Sequence, residues 1–190
     1  MRIKPTREKR ILFFKTFFRW LLYYVVIYSG FIFMTSGTLL KPVILIPTAL
    51  YIAVSNNIYA SAVTGALCGL LIDISCNRLF GYNAVLLVIF CVMVSLIYEF
   101  YLRDKFVSFI FISAVVSYIQ CILDYKFYYQ IWKYEDSEII YHEYTLKIWA
   151  YTVISSFFVC IVIRIINHFL MPKNHFTIEE TIRSGERQQR

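Results

Sequence analysis

Residues 61–84 read SAVTGALCGLLIDISCNRLFGYNA, and they contain a repeat of small residues that ends in an acid. The repeat places one such residue at every fourth position: Ser61, Gly65, Gly69 and Asp73. Because residues four apart lie on one face of a helix, these side chains form a stripe against which a second helix can pack closely. Gly81 and a long apolar run follow, so the segment predicts a turn between two membrane helices.

The composition of the whole chain is that of a membrane protein. Hydrophobic residues make up 59% of the 190 residues, charged residues make up 16%, and the mean hydropathy is +0.62. A soluble fold cannot bury so large an apolar fraction, and several uncharged runs reach the ~20 residues that a helix needs to cross a bilayer. The chain is therefore predicted to be an all-α integral membrane protein.

The net charge of +7 indicates contact with lipid rather than with nucleic acid. The basic residues concentrate at the two ends of the chain and beside the apolar runs, where they meet the anionic headgroups of a lipid bilayer. They do not alternate with aromatic residues on a soluble face, as they do in many nucleic-acid-binding proteins. We therefore expect no nucleic-acid partner.

Apolar runs predict a six-span helical bundle within residues 20–171. The spans are expected at about 20–40, 43–54, 58–72, 82–101, 106–124 and 148–171, after a basic segment at 1–19 and before a polar tail at 172–190. The uncharged run 42–72 is too long for one helix, and the polar turn at 55–57 divides it into two short arms. These arms either span the bilayer or form re-entrant half helices, and Pro47 is expected to kink the first. Both arrangements require cover by protein, so we expect the arms inside the bundle.

The distribution of Lys and Arg predicts that both termini are cytoplasmic. With six spans, fourteen of the nineteen basic residues fall in the proposed cytoplasmic segments and five in the outer segments. Such an excess is typical of cytoplasmic loops. An odd number of spans would place the basic tail outside and remove the agreement. The chain is thus expected to be a multi-pass protein of a cell membrane.

Asp73 is the leading candidate for a functional residue, because an acid inside a membrane span is costly. It lies near the end of its predicted helix, where it either pairs with Arg78 or accepts backbone hydrogen bonds at the turn. We favour a structural or partner-orienting role for Asp73, Arg78 and Gly81 over catalysis or ion coupling. Glu99 and Asp124 lie at span ends and are interpreted as interfacial residues.

The sequence contains no recognisable motif for catalysis, metal binding or cofactor binding. His142 and Glu143 are followed by Leu146 rather than by the second histidine of an HExxH zinc site. His168 and His175 have no ligand residue at metal spacing, and the five cysteines form no CxxC pair. We therefore predict no catalytic residue, no metal and no cofactor.

The segment that contains the stripe resembles the signature of the MreD family, the small rod-shape-determining membrane proteins of bacteria. In that family a glycine lies four residues before a GLL-type triplet, and an acid follows shortly after. Another glycine comes eight residues beyond the acid, ahead of an apolar helix. The matching positions here are Gly65, residues 69–71, Asp73, Gly81 and Ala84. The length, the basic start, the six spans and the basic tail also fit the family.

This resemblance implies a non-enzymatic scaffold of the cell-wall elongation machinery, located in the bacterial cell membrane, that maintains rod shape. MreD-like proteins work beside MreC, which has a single membrane span, and beside the actin-like MreB filament. They link MreB to the peptidoglycan synthases RodA and a class B penicillin-binding protein. The family's fold is similar to that of the substrate-binding membrane subunits of energy-coupling-factor transporters.

The stripe itself predicts a docking groove for a partner. Ser61, Gly65 and Gly69 would form its floor, and the transmembrane helix of MreC would fill it. The main alternative is a substrate-binding subunit of an energy-coupling-factor vitamin transporter. Residues 21–34, however, lack the small-residue face that such subunits typically carry on the first span. A membrane enzyme with Asp73 as general base would lack a second catalytic group.

Overall fold

The computed structural model describes residues 7–36, 42–100, 106–130 and 141–170, and within these ranges the chain contains no strand. The helices are α1 (Arg7–Thr35), α2 (Leu45–Ser55), α3 (Ile58–Ser75), α4 (Tyr82–Phe100), α5 (Phe106–Tyr125) and α6 (Leu146–Leu170). A π-helical turn follows α5 at Lys126–Gln130, and another precedes α6 at Tyr141–Thr145.

Helical segments of membrane-spanning length dominate the described part of the chain. Five are long and apolar enough to cross a bilayer: Phe13–Thr35, Ile58–Ser75, Tyr82–Phe100, Ser108–Tyr129 and Tyr141–Leu170. The prediction of a multi-pass helical membrane protein is confirmed at this level. α2 is different, because its 11 residues rise only about 16 Å, roughly half the thickness of the hydrocarbon core.

The short helix α2 lies at the centre of the bundle. Eight of its 11 residues are buried, and it packs against α1, α3, α4, α5 and α6. Its sequence, LIPTALYIAVS, is apolar on all sides, and such a helix has to be covered all round. The structure therefore places the short arm predicted at 43–54 inside the bundle, as expected.

Pro47 lies in the first turn of α2, which begins at Leu45. The N–H groups of a first turn have no acceptor within the helix, so a proline there removes no intrahelical hydrogen bond. The predicted kink assumed a helix that starts at residue 43 and holds Pro47 in its interior. The later start of the helix removes that reason for a kink.

Several helix boundaries differ from the predicted ones. α1 begins at Arg7, so most of the basic segment predicted at 1–19 is the first part of the same helix. α3 continues to Ser75, past the predicted end at residue 72, and the N–H groups of Cys76 and Arg78 donate to the carbonyl oxygens of its last turn. α6 begins at Leu146 rather than at residue 148. The predicted tail at 172–190 lies outside the described residues.

The helices pack in two pairs around α2. α3 and α4 form the most extensive contact, α5 and α6 form the other pair, and α1 lies against α6, α2 and α3. The shared core includes Tyr23, Leu45, Leu50, Leu87, Val159 and Ile163. Large apolar side chains such as Phe111 and Phe158 are exposed on the outside, as expected for a surface that faces lipid.

Candidate functional site

The glycine stripe of α3 is covered by α4 of the same chain. A Cβ atom on Gly65 would lie 3.0 Å from the carbonyl oxygen of Leu87. One on Gly69 would lie 2.6 Å from the Ala84 nitrogen and from the Asn83 carbonyl oxygen. These neighbours are backbone atoms, so only glycine lets α4 approach so closely. The two glycines therefore allow α3 and α4 to pack in direct backbone contact.

Ser61, at the start of the stripe, binds α2. Its hydroxyl is fully buried and lies within hydrogen-bonding distance of the carbonyl oxygens of Ala53 (3.0 Å) and Asn57 (3.1 Å). The prediction that an MreC helix fills a groove along Ser61, Gly65 and Gly69 is therefore wrong. α2 and α4 of this same chain already occupy that face. The small residues serve close packing within this chain.

Asp73 closes the turn between α3 and α4. Its side chain is 1% exposed and accepts hydrogen bonds from Gly81 N (2.8 Å), Asn83 N (3.2 Å) and Asn83 Nδ2 (2.8 Å). The two backbone donors lie at the start of α4, where free N–H groups and the helix dipole favour a negative charge. Of the two alternatives, the carboxylate thus accepts backbone hydrogen bonds, and it does not pair with Arg78.

Gly81 is required by its backbone conformation. Its φ is +97°, in the left-handed region that residues with a Cβ rarely adopt. No atom lies within 4 Å of the place where a Cβ would sit, so space is not the constraint. With this conformation the N–H of Gly81 reaches the carboxylate of Asp73.

A chain of side-chain amides connects Asp73 to α5. Asn83 donates to Asp73 through Nδ2, and its Oδ1 accepts a hydrogen bond of 3.0 Å from Gln120 Nε2. Both amide side chains are buried. Because a carboxylate only accepts hydrogen bonds, Asn83 has to turn its NH₂ group toward Asp73 and its oxygen toward Gln120. The direction of the whole chain is therefore fixed by Asp73.

Arg78, in the α3–α4 turn, pairs with Asp124 at the end of α5. Its Nη1 donates to Asp124 Oδ2, and the two side chains are 27% and 16% exposed. The ring centroid of Tyr128 lies 5.2 Å from Arg78 Cζ. The Tyr128 hydroxyl oxygen accepts a hydrogen bond of 3.0 Å from Leu79 N. Burial by itself would lower the pKa of Arg78, but the Asp124 carboxylate raises it, and the net shift is upward. Arg78 therefore stays charged, and Asp124 is more than the interfacial residue predicted.

Removing one partner of this pair should cost less when the other partner is already absent. We expect Arg78→Ala to lower the free energy of unfolding by about 3 kcal/mol, because it leaves a partly buried carboxylate without its cation. The double variant Arg78→Ala/Asp124→Ala should be more stable than the sum of the single variants predicts, with a coupling of about 1–2 kcal/mol. Denaturant unfolding of the four proteins in detergent micelles measures this coupling.

The exposed pair Glu143–Lys147 is the matched control for that cycle. Its charged atoms lie 3.9 Å apart, and both side chains are more than half exposed. Pairs of this kind couple by about 0–1 kcal/mol. Strictly additive effects at Arg78 and Asp124, no larger than those of the control, would contradict a direct pair.

α5 carries a buried polar stripe that the sequence analysis did not identify. Its members are Ser113, Ser117, Gln120 and Asp124. Their spacings of four, three and four residues place them on one helix face, and the first three are buried. The prediction for 106–124 considered only the apolar residues of this span and therefore missed the polar ones. The regular spacing of its few polar residues is the signal that would have found it.

A second polar cluster lies at the opposite end of the bundle, where α1, the α2–α3 turn and α6 meet. Arg19 donates to Asn56 Oδ1 at 3.0 Å. Asn167 donates to Ser55 Oγ at 2.9 Å and accepts from the hydroxyl of Tyr23. Arg19 is 8% exposed, so this last residue of the basic segment predicted at 1–19 is buried within the bundle. It lies at the C-terminal end of α2, where a cation is favoured.

The cysteines and histidines do not assemble into a site. Cys68, Cys91, Cys121 and Cys160 are buried, Cys76 is exposed, and all five are free thiols. Within the described ranges, no group of three or more His, Cys, Asp or Glu side chains is placed to hold a metal ion. His175 lies outside those ranges.

No protein-family model, curated protein or solved structure matches this chain. An account of its function therefore depends on its own residues and on the contacts they make.

Proposed function

We propose that this chain is a non-enzymatic membrane scaffold of the bacterial cell-wall elongation machinery, similar in role to the MreD family, that maintains rod shape. One observation carries the proposal: the positions of the family resemblance meet in a single contact. Gly69 packs on Ala84, Gly65 packs one turn further along α4, and Asp73 binds the N–H of Gly81. The spacing that defines the resemblance is thus the spacing that this hairpin needs.

The proposed topology has both termini in the cytoplasm. It is supported by the cluster at one end of the bundle, because Arg19 and Tyr23 in the middle of α1 and Asn167 near the end of α6 all contribute to it. The α2–α3 turn lies at the same end, through Asn56 and Ser55. In this topology α2 is the second of the six passes, and it is a short helix that the rest of the bundle covers.

The partners in this proposal are MreC, MreB, RodA and a class B penicillin-binding protein. Because the glycine stripe is filled, the MreC helix needs another surface. An apolar groove of about 590 Å³ runs along the lipid-facing side of α1 and includes Leu71 of α3. Its α1 residues include Phe17, Leu21, Tyr24 and Tyr28, at spacings of four, three and four. This is the seam that a packed helix presents to a second helix, and we assign the MreC transmembrane segment to it.

A photo-crosslinking residue in place of Tyr24 tests this assignment. In membranes of bacteria that also contain MreC, we expect irradiation to join the two proteins. The matched control is the same residue in place of Phe111, which is 70% exposed on α5 and faces lipid away from the groove. Only the first position should give the adduct, identified by mass spectrometry. Equal adducts from both positions, or none from position 24, would reject the groove as the docking surface.

The buried polar stripe on α5 is the observation that favours the alternative, a substrate-binding subunit of an energy-coupling-factor transporter. Polar and ionisable side chains inside a span often mark a substrate or ion pathway, and Gln120 and Asp124 each keep one buried oxygen without a partner among the described residues. Affinity capture from membranes separates the two functions. Recovery of MreC and wall synthases supports the scaffold, whereas recovery of a coupling subunit with ATPases supports transport.

A further inference from the structure

Three buried polar atoms on one face of α5 have no hydrogen-bond partner among the described residues. They are Ser113 Oγ, Gln120 Oε1 and Asp124 Oδ1. An unpaired buried polar group costs about 1–3 kcal/mol, more if it is charged. Their concentration on one helix face indicates that a group other than the described side chains completes their hydrogen bonding.

The orientation of Gln120 is set by its neighbours. Its Nε2 is held by Asn83 Oδ1, and Asn83 is in turn oriented by the acceptor-only carboxylate of Asp73. Gln120 Oε1 therefore has to face away from Asn83. The side chain is 1% exposed, so bulk water does not reach this oxygen.

Asp124 presents a second free oxygen on the same face. Its Oδ2 is taken by Arg78, whereas its Oδ1 is buried and unpaired. Gln120 and Asp124 are four residues apart, so their Cα atoms differ by about 6 Å along the axis of α5. Side chains at this spacing are neighbours on one helix face, which brings the two free oxygens to the same part of the bundle.

The charges around these oxygens favour a cation. The cluster contains two carboxylates, Asp73 and Asp124, and one guanidinium, Arg78. A water molecule could donate to both free oxygens but would leave one formal negative charge uncompensated. Oxygen ligands suit hard cations. A monovalent cation balances the single excess negative charge of this cluster, whereas a divalent ion would leave an excess positive charge in a buried place.

We propose that Gln120 Oε1 and Asp124 Oδ1 bind one monovalent cation, either an alkali ion or ammonium. The cation lies where α5 meets the α3–α4 hairpin, so its binding stabilises the contact between the two helix pairs. This inference does not depend on the scaffold function proposed above.

The test uses the full chain in lipid nanodiscs, with thermal unfolding as the readout. Choline chloride, whose cation is too large for the site, sets the baseline, and NaCl, KCl and NH₄Cl are added at constant total salt. We expect one of these salts to raise the unfolding midpoint saturably, by about 5 °C at full occupancy. The salt that acts at the lowest concentration identifies the ion, and direct binding of that ion should saturate at one per chain. An identical midpoint in all four salts would overturn the proposal and would indicate water alone.

Gln120→Met removes the amide oxygen at similar volume. It should raise at least tenfold the salt concentration that gives half of the full shift in unfolding midpoint. Ser156→Ala is the matched control, because Ser156 is equally buried but its hydroxyl donates within its own helix, to Val153 O. It should respond as the unmodified chain does. A full response in Gln120→Met would overturn the proposal. Should that variant not fold, Asp124→Asn, which removes the charge, has to lose the response, and a retained response would overturn the proposal in the same way.

Discussion

Replacing Gly69 with alanine should lower the free energy of unfolding by about 3 kcal/mol or more, the largest effect we expect from a single methyl group in this chain. The new Cβ would lie 2.6 Å from Ala84 N and Asn83 O and closer still to the Ala84 Cα. Because these are backbone atoms, no side-chain rotation relieves the overlap. α4 has to move away from α3, and the contacts along the whole hairpin loosen.

Two other glycines provide a graded control for this prediction. A Cβ on Gly30 would lie 3.4 Å from the flexible tip of Leu45, so Gly30→Ala should change stability by no more than about 1 kcal/mol. Gly65→Ala, at 3.0 Å from Leu87 O, should fall between the two. Thermal unfolding and the yield of monodisperse protein in detergent measure the series. If Gly69→Ala were as stable as Gly30→Ala, the close contact between α3 and α4 would be disproved.

Asp73→Ala should cost about 3–5 kcal/mol, because it removes the acceptor of several buried donors at once. The N–H groups of Gly81 and Asn83 and the amide of Asn83 would all lose their partner. The direction of the amide chain to Gln120 would also be lost. We therefore expect faster hydrogen exchange at the Gly81 and Asn83 amides in addition to a lower unfolding midpoint.

Asp73→Asn and Glu143→Gln separate the role of the acceptor from that of the charge. The asparagine keeps one oxygen, so it should cost less than alanine but still expose one of the two backbone donors to exchange. Glu143 is exposed, and its loss of charge should have an effect of no more than about 1 kcal/mol. An Asp73→Ala protein with the stability and amide exchange of the Glu143→Gln control would show that the carboxylate does not hold the turn.

The sequence indicated much of the α3–α4 hairpin in advance. The four-residue repeat placed Ser61, Gly65, Gly69 and Asp73 on one face, and the structure has them on one face of α3. Backbone donors at the turn were one of the two alternatives for Asp73, and Gly81 supplies such a donor. These features were accessible because helical periodicity and turn chemistry act over a few residues.

The neighbour that packs against each helix face could not be predicted from the sequence in the same way. A small-residue stripe says that something packs closely, but it does not say whether that is α4 or a helix of another protein. The sequence analysis offered only Asp73 as a partner of Arg78. The pairing with Asp124 depends on how α5 is placed beside the turn, because Asp124 is 46 residues away along the chain. The burial of Arg19 likewise depends on where the α2–α3 turn comes to lie.

The amino-acid sequence alone determined that this chain is a helical membrane protein, in which stretches its apolar helices lie, and that the long run 42–72 divides into short arms covered by the bundle. These are local properties of hydrophobicity and spacing. Only the tertiary structure decided that α4 fills the glycine stripe, that Asp73 binds backbone donors rather than Arg78, and that α5 turns unpaired oxygens into the bundle. The reason is that one helix face satisfies the same packing requirement with any complementary neighbour, and only the packing of all the helices together selects which neighbour it has.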